Sequence, residues 1–162
     1  MKAKVYFTKE ITPESVVKMY HALGITLPGK VAVKVHSGER GNQNYLRPEF
    51  WKPMVEEVQG TVVETNTAYG DACGGVRDHT EEHWKLIQEH GWTKYFQVDI
   101  LDAEEPDLVW PVPGGKVLKE NHVGSHTVHY DSMLVLAHFK GHPMGGYGGA
   151  LKQLAIGCAS SR

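Results

Sequence analysis

Residues 30–66, KVAVKVHSGERGNQNYLRPEFWKPMVEEVQGTVVETN, contain the pattern that decides the fold. The β-branched runs at 30–36 and 61–66 predict two strands, and residues 48–58 between them predict a helix. Gly60 follows that helix as a stop signal. A strand, a helix and a strand in this order favour a parallel pair of strands with the helix on one face of the sheet.

The same alternation continues on both sides of this unit. Thr12 fits the N-cap of a first helix that ends at Gly24, and Asp78 with Glu81 fits a capping pattern for a helix that Gly91 ends. Further strands are predicted at 4–8, 95–101 and 133–139, a hairpin within 102–119, and a last helix at 150–156. We therefore predict one α/β layered domain over residues 1–162, with a mostly parallel sheet and helices on its faces.

Composition excludes several classes of partner. Seventeen Lys and Arg against nineteen Asp and Glu give a net charge of −2, so no net positive field attracts nucleic acid or anionic membranes. The chain contains no apolar run near the roughly 20 residues of a membrane span and begins without the apolar segment of a secretion signal. A cytoplasmic protein without nucleic-acid or membrane partners is expected.

The two cysteines, Cys73 and Cys158, are too far apart in the sequence for a C-x-x-C metal motif. Two free thiols are favoured over a disulfide in a reducing compartment. Two cysteines also fall short of the four thiolates that an iron–sulfur cluster usually needs, so a cluster requires cysteines from additional residues or from a partner.

Three predicted strands run directly into loops of unusual composition, at 36–44, 66–75 and 138–149. The ten histidines and eighteen glycines of the chain concentrate in such loops. Because open α/β sheets bind ligands beyond the carboxyl ends of their strands, we expect the three loops to form one composite site.

The last of these loops is rich in glycine and has a lysine on each side. Glycine lets a backbone approach a ligand closely, and a following helix N-terminus and lysines favour an anion. The predicted anion- or cofactor-binding residues here are Lys140, Gly145, Gly146, Tyr147, Gly148, Gly149 and Lys152. The spacing fits neither the dinucleotide fingerprint nor the phosphate loop, and a tight turn packed on the sheet is the alternative.

The first two loops add polar side chains. Glu39, Arg40, Asn42 and Asn44 follow one strand and Asn66 follows the next, and we assign them to the same binding site. Arginine forks suit carboxylates and phosphates, whereas the alternative is a surface loop held by salt bridges.

Histidines supply candidate metal ligands, because imidazole nitrogen binds divalent transition metals. His138 and His142 are the predicted pair, with Asp71, His79 and His36 as additional ligands. The alternative is that His138 ends a buried strand and hydrogen-bonds to the backbone, while His142 lines a pocket without a metal. His122, His126 and His129 are predicted to be surface histidines on extended chain.

Five stretches in order, 29–42 (GKVAVKVHSGERGN), 44–50 (NYLRPEF), 65–70 (TNTAYG), 137–142 (AHFKGH) and 146–152 (GYGGALK), resemble domain-of-unknown-function family 362. Its members are described as uncharacterised Fe–S centre proteins. They often continue into a segment with ferredoxin-type cysteines that these 162 residues lack, so the resemblance implies the amino-terminal portion of such a protein. It also implies an iron–sulfur partner. If the natural protein is longer, a partner or a homodimer is expected to cover the exposed face of the last helix and the sheet edge.

A shorter stretch, 142–152 (HPMGGYGGALK), is similar to the histidine, glycine–tyrosine–glycine and lysine motif of nickel-pincer lactate racemases. Residues 75–82 (GVRDHTEE) are similar to the helix start that carries a catalytic histidine in that family. This resemblance implies His79 as acid/base, His142 as base or metal ligand, and Lys152 as the anchor of a covalent cofactor.

The function expected from the sequence is the binding of a small anionic ligand or cofactor, with or without a divalent metal, in association with redox chemistry. A racemase- or isomerase-like enzyme that uses His79, His142 and Lys152 is one alternative. A non-catalytic scaffold or binding subunit is the other.

Overall fold

The computed structural model describes residues 3–70, 74–143 and 145–162. Its central sheet has four parallel strands in the order β3-β2-β1-β6. The strands are β1 (Val31–Lys34), β2 (Thr61–Glu64), β3 (Val98–Ile100), β4 (Leu108–Pro111), β5 (Glu120–Val123), β6 (Ser132–Val135), β7 (Gly141–His142) and β8 (Gly146–Tyr147). The helices are α1 (Pro13–Leu23), α2 (Pro48–Glu57), α3 (Thr80–Glu89) and α4 (Ala150–Leu154). The predicted α/β class with a parallel sheet is therefore confirmed.

One face of the sheet carries the main apolar core. Val33 and Val62 from the strands join Met54 of α2 and Ile87 of α3 in one buried cluster, and Val16 of α1 packs against it. The opposite face has a smaller cluster, in which Ala32, Val63 and Leu101 contact Tyr130 and Met133. Both faces of the central strands are thus covered, which is why β1 and β2 read as nearly continuous apolar runs.

Local signals at the first helix act as predicted. Thr12 accepts a hydrogen bond from Ser15 N, and the Ser15 hydroxyl accepts one from Thr12 N, which completes a reciprocal cap. Gly24 ends the helix with φ 63°, a left-handed conformation that glycine adopts without a steric cost.

The strand predicted at residues 4–8 is wrong. This segment is exposed coil, with Val5 87% and Phe7 81% exposed, because no neighbouring strand among the described residues pairs with it. The capping role predicted for Asp78 is also wrong. His79 is the N-cap of α3, and the Asp78 carboxylate instead lies so close to Gly70 that a Cβ there would collide with it.

Two antiparallel pairs of strands and a 3₁₀ helix lie outside the central sheet. The predicted hairpin is present as the antiparallel pair β4 and β5, although β5 lies just beyond the predicted bounds of 102–119. A 3₁₀ helix, Ser125–His129, replaces the extended chain predicted for His126 and His129. Within the glycine-rich loop, β7 and β8 form a second small antiparallel pair. Over the described part of the chain, no helix has both the length and the apolarity that crossing a membrane requires.

Candidate functional site

A cavity of about 460 Å³ opens at the carboxyl ends of β1, β2 and β6. All three predicted loops contribute to it, through His36 after β1, Asn66 after β2 and His138 after β6. Of the predicted binding residues, the cavity is lined by Glu39, Asn42, Asn66, Lys140, His142, Gly148, Gly149 and Lys152. The structure therefore brings these segments to one edge of the sheet.

An ion pair between two neighbouring strands includes Lys34, which lines the cavity. Lys34 ends β1 and Glu64 ends β2, and the Lys34 Nζ lies 2.5 Å from the Glu64 Oε2 with both side chains buried. Lys34 also donates to the Val35 carbonyl at 2.9 Å, and the other Glu64 oxygen accepts from Ser37 N at 2.7 Å. These bonds satisfy charges that would be costly to bury alone.

Arg77 extends this buried network toward the wall of the cavity. Its Nε donates to Glu39 Oε2 at 3.0 Å, one Nη donates to the Tyr69 hydroxyl at 3.1 Å, and the other lies 3.7 Å from Glu64 Oε1. Burial alone would raise the pKa of Glu64, but Lys34 and Arg77 hold that pKa well below its usual range. Glu64 is therefore a carboxylate near neutral pH.

Two neutral imidazoles, the half-buried His36 and the buried His83, lie beside these charges. Burial, reinforced by Arg77, lowers the pKa of His36 from 6.5 to about 3. Burial and Arg77 likewise lower the pKa of His83 to about 4, although Glu64 opposes the shift. The His83 Nδ1 lies 3.0 Å from Asn66 Oδ1, which positions the amide of Asn66 at the cavity wall. Near neutral pH both rings are uncharged hydrogen-bonding groups.

Two lysines bring positive charge that the described residues do not balance. Lys140 and Lys152 both line the cavity, and no described carboxylate lies within 4.0 Å of either Nζ. Burial lowers the pKa of Lys140, and the nearby cations Arg77 and Lys152 lower it further. With Lys34 and Arg77, four cationic side chains line the cavity; Glu39 is the carboxylate among its described lining residues, and Glu64 pairs with Lys34 and Arg77.

The glycine-rich loop acts mainly by its shape. Gly148 N donates to the Lys140 carbonyl at 2.8 Å and Gly145 N donates to His142 Nδ1 at 3.0 Å, so these amides are used within the loop. Gly149 has φ 126°, and a Cβ there would lie 2.5 Å from the Tyr147 hydroxyl. The lysine side chains, rather than the loop amides, therefore supply the positive charge of the cavity.

Other predicted site residues lie outside the cavity. Arg40 is on the exterior, where its Nη2 lies 3.2 Å from Glu89 Oε1. His79 is on the surface with its side chain 79% exposed, and its Nε2 lies 3.6 Å from Asp78 Oδ2. Gly145, Gly146, Tyr147 and Asn44 do not line the cavity either. Their roles, including acid/base catalysis by His79, stay predictions.

The predicted metal ligands are only partly grouped. His36, His138 and His142 share the cavity, but the described residues do not bring three of their ligand atoms within 4.8 Å of one another. Burial lowers the pKa of His138, which keeps its imidazole free of a proton for binding. Asp71 and Cys73 lie outside the described residues.

An iron–sulfur cluster does not fit the thiols of this chain. Of its two cysteines, Cys158 donates to the Gln153 carbonyl at 3.3 Å, and burial raises the pKa of its thiol. A cluster ligand needs a thiolate, and four are usual. A cluster would therefore need cysteines from outside these 162 residues.

The sequence patterns did not single out Lys34, Glu64, Arg77 or His83. The available signal was a charged residue inside an apolar strand run, Lys34 in KVAVKVH and Glu64 in TVVETN. Because parallel strands are covered on both faces, a charge at such a position must be buried and paired.

Comparison with known proteins gives one match. The family model described as "Domain of unknown function (DUF362)" matches residues 31–162, which include every strand of the central sheet and the whole cavity. No curated protein and no solved structure matches the chain.

Proposed function

This chain belongs to the DUF362 family, and we propose that it binds a small anion, a carboxylate or phosphate group of a metabolite-sized ligand, at the carboxyl edge of its sheet. The observation that carries this proposal is the pair Lys140 and Lys152, which face the same cavity with no described carboxylate within 4.0 Å of either Nζ. Burial first, and then the nearby cations Arg77 and Lys152, lower the pKa of Lys140, and a bound anion would favour the charged form of this lysine.

The expected strength of this attraction is substantial. A unit negative charge 4 Å from an ammonium group gains about 4 kcal/mol at an effective dielectric constant of 20. Desolvation of the ligand and ordering of the lysine side chains offset part of that gain. The buried pair Lys34–Glu64 and the Arg77–Glu39 pair hold their geometry through internal bonds, so the two lysines are the groups left to bind a ligand.

The remaining lining favours a polar ligand of modest size. The cavity volume of about 460 Å³ falls within the range of about 300–1,000 Å³ that is typical of small-molecule sites. Asn66 and the neutral ring of His36 offer hydrogen bonds to hydroxyl or carbonyl groups of the same ligand. The anion is thus expected to carry further polar atoms.

Lys140→Ala and Lys152→Ala are each expected to weaken anion binding by about 10- to 100-fold, because each removes a charged hydrogen bond. Isothermal titration of the full chain with inorganic phosphate and with lactate measures the affinities. Lys52→Ala is the matched control, since Lys52 lies on the exposed side of α2 beside Glu56, away from the cavity. Equal affinities in the cavity variants and the parent, or no binding of either anion, would contradict the proposal.

A racemase- or isomerase-like reaction is the second candidate function, and one placement favours it. Lys152 and His142 line the same cavity, so an organic cofactor attached to Lys152 would lie within reach of an imidazole base. Simple anion binding predicts an intact mass equal to that of the 18.0 kDa chain. An added mass that Lys152→Arg removes would favour the enzyme instead.

The redox association expected from the family resemblance depends on a partner. Because the thiols of this chain do not fit a cluster, electron transfer would require a protein or segment that supplies the cysteines. The anion site itself needs no such partner, so its test is independent of that association.

A further inference from the structure

A second group of potential ligands lies at the edge of the sheet, outside the cavity. Asp99 of β3 and two histidines of the 3₁₀ helix, His126 and His129, each place a ligand atom within 4.8 Å of the others. We propose that these three residues form a binding site for a divalent transition metal ion of the zinc class.

The two histidines reach the same place because of the local helix type. A 3₁₀ helix has three residues per turn, so side chains at positions i and i+3 lie directly above one another. His126 and His129 have this spacing, and their ring centroids are 5.2 Å apart with an interplanar angle of 30°. On an extended strand, residues three apart would point to opposite faces.

The backbone fixes this helix against the end of β3. His126 N donates to the Leu101 carbonyl at 3.1 Å, which ties the first turn of the helix to the strand. Gly124 precedes the helix, and a Cβ at that position would collide with the Leu101 carbonyl. Only glycine permits this close approach, so the two histidines are held beside Asp99 by the fold itself.

The carboxylate of Asp99 is oriented by two neighbours. Its Oδ2 accepts a hydrogen bond from the Tyr130 hydroxyl at 2.8 Å, and its Oδ1 lies 2.7 Å from His126 Nδ1. On the other side of that ring, Nε2 lies 3.6 Å from Glu104 Oε2. An imidazole with one nitrogen toward a ligand group and the other toward a carboxylate is the usual arrangement of a metal-bound histidine.

The types of ligand atom at the site determine which metal ions it can bind. Two imidazole nitrogens and one carboxylate oxygen, with a fourth position open to water, suit Zn²⁺, Co²⁺ or Ni²⁺ better than Mg²⁺ or Ca²⁺, which prefer oxygen ligands. Zinc–ligand distances of about 2.0–2.2 Å require ligand atoms roughly 3.3 Å apart in a tetrahedron. The exposed side chain of His129 needs only a rotation to close this geometry, while the ion replaces the proton between His126 and Asp99.

The bound ion would be structural and separate from the anion site. It would link β3, at the edge of the sheet, to the segment that connects the β4–β5 hairpin with β6. None of Asp99, His126 and His129 lines the cavity proposed to bind the anion.

Calorimetric titration of the full chain with Zn²⁺ tests this site, with Co²⁺ as a spectroscopic probe of coordination. We expect one ion per chain bound at Asp99, His126 and His129, the absorption of four-coordinate Co²⁺, and no binding of Mg²⁺. His129→Ala, at an exposed position, and Asp99→Asn should each abolish this binding. Tyr130→Phe keeps the ring but frees the carboxylate, and should weaken Zn²⁺ binding by about 10- to 100-fold.

Two control variants separate this site from other histidines. His122→Ala removes a neighbouring surface histidine on β5, and His142→Ala removes a histidine of the cavity; both should still bind the ion. Binding that survives His129→Ala but is lost in His142→Ala would overturn the proposal. Absence of Zn²⁺ binding by the parent chain, with its fold confirmed by circular dichroism, would overturn it as well.

Discussion

Replacing Glu64 by glutamine is expected to lower the free energy of unfolding by about 3–5 kcal/mol. The change keeps the size of the side chain but leaves Lys34, at 2% exposure, without its counter-ion. Arg77, whose Nη1 lies 3.7 Å from Glu64 Oε1, also loses a partner. Urea denaturation followed by circular dichroism measures the loss, and an unchanged dependence on urea concentration would show that the folded state is retained.

A matched control and a double variant identify the cause. Glu56→Gln removes the same charge from an exposed pair with Lys52 at 3.7 Å and should change stability far less. The double variant Lys34→Met with Glu64→Leu removes both charges and should recover much of the lost stability, because apolar residues of similar volume often replace buried pairs well. A loss in Glu64→Gln no larger than that in Glu56→Gln would contradict the buried pair.

The strand and helix order was readable from the sequence because its signals are local. The apolar runs of β1 and β2, the cap at Thr12 and the stop at Gly24 each act through neighbouring residues. The segment at 4–8 carries a similar apolar signal but no strand, since a strand also needs a partner whose position no local pattern reveals.

The location of the cavity was predictable from the sequence, but the pairing of its side chains was not. Parallel strands end at one edge, so the loops that begin at His36, Asn66 and His138 had to converge there. The pairing of Lys34 with Glu64 depends on strand order and register, which neither strand encodes alone. Arg77 was missed for the same reason, because its partner Glu39 is distant in sequence.

In the group of Asp99, His126 and His129, the conformation of the backbone decides whether the two histidines lie on the same side of the chain. Three residues separate the two histidines, which on extended chain places them on opposite sides and on a 3₁₀ helix places them together. The close approach of Gly124 to Leu101 selects the second conformation, and that contact is set by the tertiary fold.

Stability is expected to fall as the pH drops below about 6.5, because the half-buried His36 and the buried His83 stay neutral in the folded protein. The pKa of His36 is lowered from 6.5 to about 3 and that of His83 to about 4. Below pH 6.5 the unfolded chain binds a proton at each ring while the folded protein does not. Each ring therefore removes up to about 1.4 kcal/mol of stability per pH unit, down to its own folded pKa.

Together the two rings account for a loss of up to about 6–7 kcal/mol between pH 6.5 and pH 4, a large part of the 5–15 kcal/mol that is typical of folded domains. Glu64 adds to the loss of stability below pH 4.5, the ordinary pKa of its carboxyl group. Below that pH the unfolded chain takes up a proton at Glu64, whereas the folded protein, in which the pKa is lowered, does not. Urea denaturation at a series of pH values, with the slope of stability against pH, measures the protons taken up on unfolding.

Substitutions at the two rings should change the slope and not only the stability. His83→Asn and His36→Asn each remove one titrating group, so each should make the decline between pH 6.5 and pH 4 shallower by about one proton. His21→Asn, at an exposed histidine beside Glu57, should leave the slope unchanged. A parent slope near zero over this range would mean that both rings accept protons in the folded state. In that case the cavity beside Lys34 and Arg77 would be open enough to water to stabilise further positive charge.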